Sequence, residues 1–151
     1  RSGDILQYMN ELGPTVVHFS GHGTNQDELV LQDRNGDAAF VSLASLVGTF
    51  ELFDSVRLVF FNTCHSYNQA AACTQYADAA IGMNQEIGDT AARVFASQFY
   101  SAIGFGKSIP NAFKQAKNAL MLEGIPEEST PELHLRSGIE ESDLVLVKPK
   151  L

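Results

Sequence analysis

The strongest constraint on this chain is a short apolar run, Leu58-Val59-Phe60-Phe61, that stops at the polar segment Asn62-Thr63-Cys64-His65-Ser66. From Val56 onward the run lacks the alternation of a strand with one wet face, so it suits a central parallel strand covered on both sides. Such a strand needs helices on both faces and a parallel neighbour, which points to an α/β sandwich with a mostly parallel sheet. The neighbour is Thr15-Val16-Val17-His18-Phe19, bounded by Gly13-Pro14 and by Gly21-His22-Gly23.

The rest of the pattern supplies the covering elements. Ile5, Leu6, Met9 and Leu12 stand at helical spacing, and Gly13-Pro14 ends that helix. Between Glu28 and Val41, Asn35-Gly36 sits between two short apolar segments and predicts a hairpin. Ser42 can cap a crossover helix carrying Leu43, Leu46, Val47, Phe50 and Phe53. A short helix is predicted within 69–77 and a buried strand over 79–83. A helix then starts at Asp89 with Ala92, Phe95, Ala96, Phe99 and Ile103 inward, and Ser108 caps another that runs to about Leu122. An acidic loop through Pro126 and Pro131 leads to a last predicted strand, Asp143-Leu144-Val145-Leu146-Val147. In sheets of this kind ligand chemistry gathers at the carboxyl ends of the strands, where His22 and Cys64 both fall.

Size and charge narrow the possible functions. At 151 residues the chain has room for one domain. Its net charge of -8 would repel phosphate backbones and anionic lipid, so direct nucleic-acid binding is not expected. No apolar run approaches the roughly 20 residues of a membrane span, and no signal-peptide layout opens the sequence, so a cytoplasmic location is expected. Cys64 and Cys73 lie in such different contexts that they are not expected to pair, which fits a reducing compartment.

A thiol is a nucleophile only as thiolate, and with an ordinary pKa of about 8.5 it needs a base to reach that form at neutral pH. His22 can be that base, because residues just past the ends of neighbouring parallel strands come close together. The backbone amides of Gly23 and Cys64 can then face a developing oxyanion. His18 shares a strand face with His22, yet no cysteine or acidic residue stands at a metal-binding spacing, so it reads as a hydrogen-bonded strand residue with no metal site. His65 should diverge from its neighbour Cys64, and His134 reads as a solvated loop residue. Cys73 reads as a buried helix residue and Asp89 as a helix cap. Glu123, Glu127, Glu128 and Glu132 form a solvated acidic face or a dock for a basic partner.

The segments Val16-Val17-His18-Phe19-Ser20-Gly21-His22-Gly23 and Leu58-Val59-Phe60-Phe61-Asn62-Thr63-Cys64-His65-Ser66 resemble the two catalytic blocks of caspase-like peptidases, above all those of the bacterial CHAT domain. Ile81-Gly82-Met83 followed by Asp89, and the segment 99–108 ahead of Ala112-Phe113, extend the resemblance over most of the chain. His22 precedes Cys64 by 42 positions, against roughly 50 in caspases. The resemblance implies a three-layer α/β/α sandwich in which a strand, a helix and a second strand precede the histidine block. Only one helix precedes it here, so residues 1–151 are expected to be a CHAT peptidase domain without its N-terminal strand-helix-strand, a C-terminal portion of a longer protein, with an open sheet edge for a partner segment.

The same resemblance implies a cysteine endopeptidase that forms an acyl-enzyme on Cys64, with His22 as base and Gly23 beside the oxyanion. It implies a protein substrate, an attached sensor domain or regulatory partner, and no cofactor. Asn62 stands where metacaspase-like relatives carry an acidic residue for a basic P1 side chain, and Gln85 and Glu86 fall in the region that lines the P1 pocket. Two rival readings are a catalytically silent caspase-like scaffold and another α/β cysteine hydrolase acting on small amides or esters.

Overall fold

The computed structural model describes residues 1–24 and 26–148. Helix α1 (Ile5–Leu12) leads into strand β1 (Val16–Gly23), followed by a hairpin of β2 (Leu29–Gln32) and β3 (Ala38–Val41). Helix α2 (Leu43–Leu52) crosses to β4 (Leu58–Thr63), and α3 (Tyr67–Cys73) crosses to β5 (Ala79–Met83). Helices α4 (Asp89–Gly104) and α5 (Ile109–Leu122) pack side by side before β6 (Pro131–Leu135). The strands form one sheet in the order β3-β2-β1-β4-β5-β6, with β1, β4 and β5 mutually parallel at its centre and β6 antiparallel at one edge.

Leu58, Val59, Phe60 and Phe61 are fully buried, as their unbroken apolar run requires. Leu58 and Phe60 face α4 and α5, where Phe60 meets Phe95 and Phe99 at ring-centroid distances of 5.8 and 5.4 Å. Val59 and Phe61 face the opposite layer with Leu46 and Phe50 of α2 and Ala70 and Cys73 of α3. Each of these large side chains contributes about 1.5–3 kcal/mol by leaving water, so β4 is clamped from both faces. The three-layer expectation holds. Along Val16–Gly21 the only strand paired with β1 is β4, because β2 joins it at His22 and Gly23 alone; among the described residues the other edge is open.

The end of the chain departs from the sequence reading. Residues 143–147 are not a strand: a tight 3-10 turn covers Glu141–Leu144, which buries Leu144 against α5. The Asp143 carbonyl accepts from the guanidinium of Arg57, whose Nε donates to Asp78 at 2.9 Å, so a side chain takes the backbone acceptor that a ladder would have used. The sixth strand is instead Pro131–Leu135, within the segment expected to be an acidic loop. Proline is tolerated there because it is the first residue of an edge strand, where a missing N–H costs no ladder bond.

Candidate active site

The two residues singled out from the sequence stand level with one another. Strands β1 and β4 are parallel with Val16 beside Leu58 and, five residues on, Gly21 beside Thr63. His22 and Cys64 are the next residue on each strand path. A β-carbon on Gly23 would lie 2.3 Å from the carbonyl oxygen of Cys64, so only glycine lets the two backbones approach this closely. His22 is exposed and Cys64 half-buried. Among the described residues no hydrogen bond joins their side chains; the Cys64 thiol instead faces the Ile87 carbonyl at 4.0 Å. Both cysteines are free, as expected.

The loop that carries the thiol is fixed from below. Ser66 is fully buried; its hydroxyl donates to the Thr63 carbonyl at 2.7 Å and accepts from the Met83 amide at 2.9 Å, tying the end of β4 to the end of β5. The His65 amide donates to the Gln85 carbonyl at 3.4 Å. The segment 84–88 is held in turn by residues 127–132. Glu127 accepts from the Gly88 amide at 2.9 Å, Asn84 donates to the Ser129 carbonyl and to Glu132, and the Gln85 side chain donates to Thr130. Glu127 and Glu132 are therefore structural acceptors, a correction to their reading as a solvated face. Serine and threonine in a nucleophile loop give no distinct sequence signal, and so the bridging role of Ser66 was missed.

A cavity of about 550 Å³ opens beside the histidine, lined by Ser20, Gly21, His22, Asn62, Asp89, Ala92 and Arg93. Asn62 donates from its amide to the Ala92 carbonyl at 3.2 Å, and its buried carbonyl oxygen has no partner. Thr63 and Gln69 also carry buried side-chain atoms without partners, so three such residues flank Cys64 within seven positions. Buried polar groups ordinarily find a partner, in the protein or in water. Asp89 does not cap α4; Gly88 occupies the cap, and the Asp89 carboxylate in the first turn favours the positive helix end while lining the cavity. Gln85 and Glu86 are not among the residues lining this cavity.

The other histidines divide clearly. His18 Nδ1 lies 2.7 Å from the Tyr100 hydroxyl, the hydrogen-bonded strand residue expected, and packing of its ring lowers its pKa. His65 has a left-handed backbone with φ of 55°, which turns it to a different cavity from His22. His134 is not a solvated loop residue. It sits on β6 with its ring edge-on to Tyr67 at 4.6 Å and Nε2 buried without a partner; burial lowers its pKa against an upward pull from Glu132. Cys73 is fully buried on α3, which pushes its thiol up to about 12.

Among the described residues no three histidine, cysteine or acidic side chains gather as a metal ion would need. No described helix is long and apolar enough to cross a membrane. Two curated proteins show similarity. One, from Gillisia limnaea and described as a probable protease, is 29% identical over 122 residues, which is 78% of this chain and 22% of that protein. The other, described as a Roc-COR-CHAT protease from an unknown prokaryotic organism, is 24% identical over 132 residues, which is 83% of this chain and 12% of that protein. The chain thus spans less than a quarter of the length of either relative. The family model for the CHAT domain matches residues 4–131, from the first helix through the start of β6, and the chain therefore belongs to the CHAT domain family.

Proposed function

We propose that this chain is the caspase-like cysteine peptidase domain of a larger protein, with Cys64 as nucleophile and His22 as general base. The observation that carries the reading is the shared register of β1 and β4, which brings the two residues level at the carboxyl ends of adjacent strands, with Gly23 pressed against the Cys64 backbone. In this reading His22 takes the proton from Sγ and the thiolate attacks the carbonyl carbon of a peptide bond. The oxyanion faces the amides of Gly23 and Cys64. As the tetrahedral intermediate collapses, the C–N bond breaks and His22 returns the proton to the leaving amine. Water, deprotonated by His22, then hydrolyses the thioester. No cofactor enters any step.

The missing hydrogen bond between His22 and Cys64 is compatible with this, because catalytic hydrogen bonds are often long without substrate and tighten when it binds. The cavity beside His22 is the proposed P1 site, with Asn62 at its wall. Gln85 and Glu86 are not proposed as walls of that cavity; Gln85 acts through its backbone hold on the nucleophile loop. The names of both relatives support a protease reading, and the Roc-COR-CHAT name supports attached regulatory domains. The requirement for a free thiol favours a reducing compartment such as the cytoplasm.

The test is a library of fluorogenic peptides varied at P1 and offered to the full-length protein. Wild-type protein is expected to cleave a subset, and Cys64→Ala none. Cleavage that survives Cys64→Ala sinks the assignment, while a wild type inactive on every peptide and on partner proteins favours the silent-scaffold reading.

A further inference from the structure

A second cavity is lined by the residue that follows the nucleophile and has no part in the chemistry above. It holds about 340 Å³ and is lined by Asp27, His65, Tyr67, Asn68, Met83 and Asn84. His65 follows Cys64 directly in the chain, and Tyr67 and Asn68 belong to α3. The His22 cavity is walled by α4, which covers the other face of the sheet. The two cavities thus open on opposite faces of the sheet near the end of β4.

The polar groups of the second cavity are mainly acceptors held in place. The Asn68 amide donates to both oxygens of the Asp27 carboxylate, at 3.0 and 3.2 Å, which fixes that charge at the wall. No lysine or arginine pairs with Asp27 among the described residues. Asn84 commits its amide nitrogen to the Ser129 carbonyl and to Glu132, so its carbonyl oxygen is the end left to serve a ligand. Tyr67 is 43% exposed, with its ring braced against His134, and Met83 adds an apolar wall. Asp27 and His65 are also the two non-glycine residues with positive φ among the described residues, at 62° and 55°, and both line this cavity. Such backbone persists only where its surroundings enforce it.

A fixed, unpaired carboxylate, an amide oxygen and an exposed aromatic ring suit a cation on a long apolar stem. We infer that this cavity is a second side-chain subsite, which takes an arginine or lysine of the substrate beside the scissile bond. The inference rests on the peptidase reading and adds a charge preference to it.

The experiment uses the full-length protein and fluorogenic peptides carrying Arg, Lys, Gln or Ala at the positions flanking the cleaved bond. Asp27→Asn keeps the shape of the side chain and tolerates a left-handed backbone. The expected result is that Asp27→Asn lowers the kcat/KM ratio of Arg or Lys peptides over Gln peptides about fivefold, the loss of one partly exposed ion pair. An unchanged ratio overturns the subsite and leaves the dyad standing. If the wild type cleaves no peptide, the dyad reading fails, and the subsite is judged by binding. Cys64→Ala protein is then expected to bind an Arg peptide in fluorescence anisotropy about fivefold more tightly than the Cys64→Ala/Asp27→Asn protein. Equal affinity overturns the proposal.

Discussion

Cys64 and Cys73 differ in the properties that make a thiol useful. Cys64 is half-exposed at the end of β4, whereas Cys73 is fully buried in the layer between α2, α3 and the sheet. Iodoacetamide near neutral pH is expected to label Cys64 and spare Cys73, as peptide mapping by mass spectrometry would read; labelling of Cys73 in the folded protein contradicts this. The buried thiol also carries a pH signature. Burial raises its pKa from the ordinary thiol range to about 12 in the folded state, so the folded protein holds this proton more tightly than the unfolded chain. Stability from this group is complete below pH 9 and is lost as pH climbs towards 12. Cys73→Ala should flatten that alkaline slope in chemical denaturation while costing about 1–3 kcal/mol through the small cavity it leaves. His134 acts with the opposite sign. Its lowered pKa means the unfolded chain binds the proton more readily, so stability is lost as pH falls below the ordinary value of 6.5. His134→Phe keeps a ring against Tyr67 and is expected to reduce that acid slope; an unchanged slope assigns it elsewhere.

At the scale of elements, the device that holds the site is the Ser66 bridge. Ser66→Ala leaves the Met83 amide buried without its partner, which costs about 1–3 kcal/mol. Thermal unfolding should show that loss, and activity should fall further than that of an equally destabilised variant remote from the loop. Gly82→Ala is a second check, because a β-carbon there would lie 2.5 Å from the Ser66 carbonyl and 2.8 Å from Ala70. It should push α3 off β5 and lower the melting temperature more than an exposed glycine substitution. Elements with a strong period were legible from the sequence. The unbroken run of β4, the hairpin at Asn35-Gly36 and the Ser42 and Ser108 caps all stand where their residues suggest. The end of the chain was not, because two short segments competed for one edge. Pro131-Glu132-Leu133-His134-Leu135 does alternate, but its proline and acidic neighbours read as loop, whereas Leu144 to Val147 looked like a strand and only Leu144 and Leu146 pack on the core that holds α5. The edge is settled by a long-range pairing, that of β6 with β5, which local pattern does not encode. The positions of His22 and Cys64 at strand ends were legible, while the bracing beneath them by residues 84–88 and 127–132 was not.

For the whole molecule, the parallel core of β1, β4 and β5 fixes the site, and the open edge of β1 along Val16–Gly21 is where a further strand can add. An open edge promotes association through backbone pairing, so the isolated chain is expected to self-associate with rising concentration in sedimentation experiments. A chain that stays monomeric at high concentration would show that this edge is protected. The central claim concerns the thiol and its base acting together. It is tested most directly by treating the full-length protein with a panel of peptidyl acyloxymethyl ketones, which alkylate an activated cysteine, and mapping the adduct by mass spectrometry. The expected result is a single adduct on Cys64 that His22→Ala reduces at least tenfold and His65→Ala reduces far less. An adduct that forms equally well without His22, or that requires His65 in its place, contradicts the account.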